Sequence, residues 1–312
     1  MLRRERARPM TRAMFLVLPA VLFLAGCAGS NPPPPPPPGL HLYVGNGNTT
    51  GVILQYGLPI ANASAAQTLV ATPPRIFAVA VDPSGANLVA GTLTGQIVFW
   101  TLPITSASTP ATAFPNGAGP SVGQIWFDGG TMYATTTSNK VNVFTAPFTS
   151  SSTPTTISIP ELSLTYGVAR DSSTATTYVS NTQDPTATGG NLVAISGSGV
   201  ISTPPIAGRS YRQLALFGGL LLVASDSSIV TRVDAYTLPL TTASAPAFSI
   251  TTGIDRPLSI AADKRALYVG NRNGQNVVEY TAPFSSASAP VVSLPIGTTP
   301  GAFDVTAIAV GQ

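Results

Sequence analysis

Residues 260–280 read IAADKRALYVGNRNGQNVVEY. An apolar run meets a charged turn at Asp263–Lys264–Arg265. A second run leads into an Asn- and Gly-rich loop, and a third ends on an aromatic. Short runs rich in Val, Ile and Tyr, bounded by Gly, Asn and Asp, are what strands require. The second run, Ala266–Leu267–Tyr268–Val269–Gly270–Asn271, has a near copy at the other end of the chain, His41–Leu42–Tyr43–Val44–Gly45–Asn46. Weaker copies lie around Leu88, Tyr133, Tyr178 and Leu222, so the steps from Tyr43 to Tyr268 are 45, 45, 45, 44 and 46 residues. A second landmark is an aromatic followed three residues later by proline: Tyr56/Pro59, Trp100/Pro103, Phe144/Pro147, Tyr236/Pro239 and Tyr280/Pro283. Its fourth copy is missing. Four short strands in a period near 45 mark a β-propeller blade, and residues 40–312 hold six copies, which fits six blades better than seven.

The phase of the repeat predicts how the ring closes. Gly39–Leu40 lead directly into a second strand, while Thr306–Val310 (TAIAV) match a first strand such as FAVAV at 77–81. The C-terminal strand is therefore expected to complete the blade begun by residues 40–71, hiding both terminal edges. Strands such as Ile76–Val81 (IFAVAV) are apolar throughout, which predicts burial on both faces. Stacked blades need that burial. They account for the 44% hydrophobic content without a membrane span in the body.

In these residues the chain resembles the YVTN-type repeat, related in pattern to NHL-repeat propellers. The resemblance covers nearly all of 40–312, with the first and last copies close. It implies an extracytoplasmic ring-shaped propeller and leaves its role open.

The N-terminus reads as an address. Five arginines precede a twelve-residue apolar core, Met14–Ala25, too short for a bilayer span of about 20 residues. Leu24–Ala25–Gly26–Cys27 then resembles a bacterial lipobox, which implies cleavage before Cys27 and lipidation of its thiol. Residues 1–26 are thus expected to be a lipoprotein signal peptide, 27–39 a lipid-anchored Pro-rich linker, and 40–312 the propeller. Pro32–Pro38 favour polyproline II, a semi-rigid spacer of about 20 Å. The expected location is the cell envelope, on the outer membrane if the cell is Gram-negative.

Composition narrows the chemistry. The chain has 15 Lys and Arg against 12 Asp and Glu. Without the five arginines and one glutamate of the leader, ten basic residues face eleven acidic ones. A near-neutral body is a poor match to nucleic acid, which needs clustered basic residues. One Cys and one His, His41, leave no disulfide framework and no Cys/His zinc site. No G-x-S-x-G elbow accompanies His41, so no catalytic residue is assigned. Asp82, Asp128, Asp171 and Asp263 recur after the first strand, as turn formers do.

Loops joining strand four to strand one, and strand two to strand three, share one face of a propeller. Here they carry Arg75, Arg209, Arg212, Arg256 and Arg272, with Tyr166 and Tyr211 nearby. Arg and Tyr are common binding anchors. The same loops hold Asn181, Asp184, Asp255, Asn271 and Asp304, whose oxygens suit calcium or another hard divalent cation. The fourth repeat departs most from the template, with a long loop at Asn181–Gly190 and a connection cut to Gly197–Ser198–Gly199. The leading expectation is a monomeric, non-catalytic binding or scaffolding module for an envelope protein or glycan, with no cofactor. The alternative is a cation-dependent, lactonase-like hydrolase or lyase at the channel mouth.

Overall fold

The computed structural model describes residues 39–48, 51–71, 75–117, 121–182, 189–227, 231–296 and 304–311. Within them the chain is all β: six antiparallel sheets of four strands each. The quoted stretch forms strands Pro257–Ala262, Ala266–Asn271 and Asn276–Thr281, completed by Val292–Pro295. Blades 2 to 6 are continuous in sequence. Blade 1 takes its innermost strand from the C-terminus, where Val305–Gly311 pairs antiparallel with His41–Asn46, His41 opposite Gly311 and Val44 opposite Ile308. The ring is therefore closed as the repeat phase predicts.

Six apolar clusters hold the ring together, one at each blade interface among the described residues. The aromatic–x–x–Pro landmark explains part of this packing. Each of its five prolines follows a cis peptide bond, and the next residue is Ile60, Ile104, Phe148, Leu240 or Phe284. Each of these packs into the cluster between its own blade and the preceding one. A recurring turn fixes the connection: the backbone N–H of Ala61, Thr105, Thr149, Thr241 or Ser285 donates to a serine Oγ three residues on, at 2.7–2.9 Å. Burying such a side chain contributes about 1.5–3 kcal/mol. Blade 4 lacks the connection, and its interface with blade 3 is the smallest, with seven buried residues against ten to thirteen elsewhere.

The two faces follow from strand direction. The upper face carries the four-to-one and two-to-three loops; the lower face carries the one-to-two turns and the three-to-four connections. The chain enters at Gly39–Leu40 on the lower face, where the Leu58 N–H donates to the Leu40 carbonyl. The recurring aspartates are lower turns: Asp82 Oδ1 accepts from Ala86 and Asn87 N–H, and Asp263 Oδ1 from Arg265 and Ala266 N–H. Asp128 does something else. It takes Arg170 Nε at 2.8 Å and Ser172 Oγ at 2.7 Å across to blade 4. These bonds, Ser172 first, hold its carboxyl below the usual range.

Candidate functional site at the upper mouth

The six first strands line the axis, and two buried glutamines close it. Gln124 Oε1 accepts the Val168 and Leu214 N–H groups at 3.0 and 2.8 Å, while its amide donates to the Leu214 carbonyl at 2.7 Å. Gln213 donates to the Phe77 and Gly123 carbonyls at 3.2 and 3.0 Å. These bonds tie the first strands of blades 2, 3, 4 and 5 together. Below Gln124 lies an apolar vestibule of about 250 Å³ that includes Val81, Phe127, Leu216 and Val310. At the upper mouth lies a cavity of about 350 Å³ bounded by blades 2 to 5.

The last residue of each second strand defines the mouth. Asn46, Asn181 and Asn271 occupy this position in blades 1, 4 and 6, and all three are buried. Their Oδ1 atoms accept the backbone N–H of Asp304, Leu164 and Asp255, each one or two residues before a first strand. Asn271 Nδ2 also donates to the Gly253 carbonyl at 2.8 Å and to Asn276. Asn181 and Asn271, expected among the ligand-binding residues, are thus clamps that fasten each incoming loop to its own blade.

In blade 5 the same position is Asp226, which is 2% exposed. A buried carboxylate needs a countercharge, and here there are two. Arg256 Nε lies 2.8 Å from Asp226 Oδ1, and Arg212 Nη2 lies 3.3 Å from Oδ2. The hydrogen bond that Arg256 donates to Asp226 raises the arginine's pKa further. The Arg212 guanidinium stacks over the Tyr166 ring at 5.0 Å. Tyr166 is buried, which pushes its phenol pKa up, and its hydroxyl has no hydrogen-bond partner. Arg75 and Arg256 share one repeat position and both have left-handed backbones, φ 57° and 52°, uncommon for a side-chain-bearing residue. Their carbonyls accept the Leu93 and Arg272 N–H groups.

The structure redistributes the residues expected at this face. Tyr166, Arg212, Asp226 and Arg256 come together at the mouth, with Arg272 on Asp304 at 3.5 Å. Arg75 and Asp255 are exposed. Arg209 is not an anchor on the surface. Its Nε lies 2.7 Å from Asp234, a carboxylate with no exposure that also accepts from Ser249 Oγ at 2.5 Å. Tyr211 is likewise interior: it is fully buried, and its hydroxyl bonds Tyr236 at 2.6 Å and Asp234 at 3.2 Å. Apolar packing between blades 4 and 5 outweighs its sequence position near a loop. Cys27, Asp184 and most of the long fourth-repeat loop lie outside the described residues. His41 bonds Gln55 on the lower half of blade 1. Among the described residues no three His, Cys, Asp or Glu stand together as a metal site.

Asp226, Asp234 and the two glutamines escaped the sequence reading. Their signal was a polar residue at a repeat position that other blades fill differently.

No family model matches the chain, and no curated protein matches it. Solved structures do. The chain is similar to a structure of a nidogen/laminin complex, with 15% identity and a TM-score of 0.66 over 88% of this chain and 99% of that one. It is also similar to the WD40 β-propeller domain of Doa1, with 11% identity and a TM-score of 0.60 over 88% and 86%. A putative 6-phosphogluconolactonase from Bacteroides fragilis gives 10% identity and a TM-score of 0.59 over 88% and 98%. At such identities the likeness is one of fold.

Proposed function

We propose that the chain is an exported, lipid-anchored β-propeller that acts as a non-catalytic binding module for an envelope protein or glycan, using its upper mouth. The observation that carries this reading is the commitment of the two mouth acids that meet arginines. Asp226 and Asp304 each face an arginine, at 2.8–3.5 Å, while Asp255 stands exposed. A general base or a hard-cation ligand needs such a carboxylate free, so this pairing favours binding over lactonase-like hydrolysis. Calcium has no part in this reading. Within the propeller the chain enters on the lower face, opposite the upper mouth.

Two steps test the proposal. Cys27→Ser should abolish acylation and release the protein from membranes; unchanged fractionation without acyl incorporation in the wild type contradicts the anchor. Capture from the native envelope should then recover a saturable partner that calcium chelation leaves bound. A chelator-sensitive turnover of sugar lactones would instead establish the hydrolase.

A further inference from the structure

Between blades 3 and 4 the ring lacks a part that its other blade interfaces have. In the other five blades the connection after the third strand makes two contacts. The N–H of the residue before its proline (Leu58, Leu102, Ala146, Leu238 or Ala282) donates to the carbonyl just ahead of that blade's second strand, at 2.7–3.0 Å. The apolar residue after the proline then packs into the cluster shared with the preceding blade. Blade 4 turns back at Gly197–Ser198–Gly199 and makes neither contact. The carbonyl that would receive the N–H belongs to Ala175, which is exposed, and no described residue donates to it.

The side chains around this gap are left open to match. Val143 of blade 3, just before the landmark aromatic, is half-buried, whereas its apolar counterparts Phe99, Ala194 and Ala235 are buried. Ile195 of blade 4 stands where the other blades carry that aromatic, which is at most 3% exposed, and it too is half-buried. Directly opposite it in the strand pair, Val200 is 51% exposed. With the half-buried Ile157 these residues form an apolar strip, continuous with the packed interface of blades 3 and 4. Contiguous open apolar surface of this kind marks an interaction site.

We infer that this strip docks a partner polypeptide that supplies the missing part, an extended x–Pro–Leu, x–Pro–Ile or x–Pro–Phe segment. The N–H of x donates to the Ala175 carbonyl, and the apolar side chain after the proline rests on Val143, Ile157, Ile195 and Val200. The five filled interfaces specify that chemistry. A second copy of this chain does not suit the strip, because its five such side chains are already seated in its own ring. The site lies on the lower outer side of the ring and is independent of the upper mouth.

Fluorescence polarisation with the full chain tests the inference. The probe is a labelled peptide copied from residues 236–247, YTLPLTTASAPA, the segment that serves the neighbouring interface of blades 4 and 5. It should bind saturably at sub-millimolar strength. A peptide carrying Leu240→Ala should bind about tenfold more weakly, because the buried leucine supplies most of the contact. Val200→Asp in the protein should weaken the unaltered peptide by about as much, since docking would desolvate the new carboxylate. Its melting temperature should stay nearly unchanged, as expected of an exposed position. No saturable binding, equal binding of the two peptides, or binding that Val200→Asp leaves intact overturns the inference. Sedimentation should find a monomer; a dimer that Val200→Asp dissolves assigns the strip to a second copy and overturns it as well.

Discussion

Asp226 and Asp234 show how one side chain decides what an arginine is for. Both carboxylates have no side-chain exposure, so the guanidiniums beside them complete buried ion pairs. Breaking such a pair by removing one partner commonly costs about 3–5 kcal/mol, because the remaining charge is stranded. Arg209→Ala should accordingly lower stability by about 3 kcal/mol in urea unfolding, and Arg209→Met with Asp234→Leu should recover most of it. A neutral single variant would return Arg209 to the surface role its loop position suggests. Glu279 is the opposite case. Its Oε2 is buried without a partner, and burial raises its pKa against the lowering effect of Arg265. The folded protein then holds this proton more tightly than the unfolded chain, so stability falls as pH rises through the glutamate range toward the folded value. Glu279→Gln, the residue repeat 1 carries as Gln55, should raise the melting temperature at pH 7, with the gain lost once the pH has fallen to about 4. An equal gain at both pH values would place the cause elsewhere. At this scale the sequence was partly legible. Arg212, Arg256 and Tyr166 could be located from repeat phase, but charge pairing and burial depend on which side chains the fold brings across a blade interface, and a 45-residue period does not encode that.

Between blades, the three-to-four connections act as inserted apolar side chains held by a serine turn. Leu240 is 2% exposed in the cluster between blades 4 and 5. Leu240→Ala should cost about 2–5 kcal/mol, as large-to-small changes in cores do. A loss below 1 kcal/mol in chemical unfolding would show that the connection is decorative. Strands were the most legible feature. Short Val- and Ile-rich runs between Gly, Asn and Asp carry their own signal, and the observed Ala266–Asn271 and Asn276–Thr281 match the runs in the quoted stretch. The connections were less so, because Ala-, Ser- and Thr-rich segments resemble ordinary loops; only the aromatic and the proline stood out. Gln124 and Gln213 were not legible as axial braces. Their partners are backbone groups as much as 136 residues away, and nothing local announces such a bond.

The closed ring gives the molecule two unlike ends. Closure itself was legible, because an unpaired first strand at the C-terminus and a missing one at the N-terminus admit one arrangement. The lower end receives the chain and holds an apolar vestibule; the upper end gathers the arginines, Asp226 and the cavity beside Tyr166. A site at the upper mouth requires strands from four blades, so it exists only in the assembled ring. The account stands or falls on that end being the one that binds. The direct test places a photo-crosslinking residue at Leu164, on the upper rim, or at Ser106, exposed on the lower face, in the full-length protein in its native cells. A discrete adduct from position 164 that position 106 does not give is the predicted result. A discrete adduct from position 106 and none from 164 would contradict it.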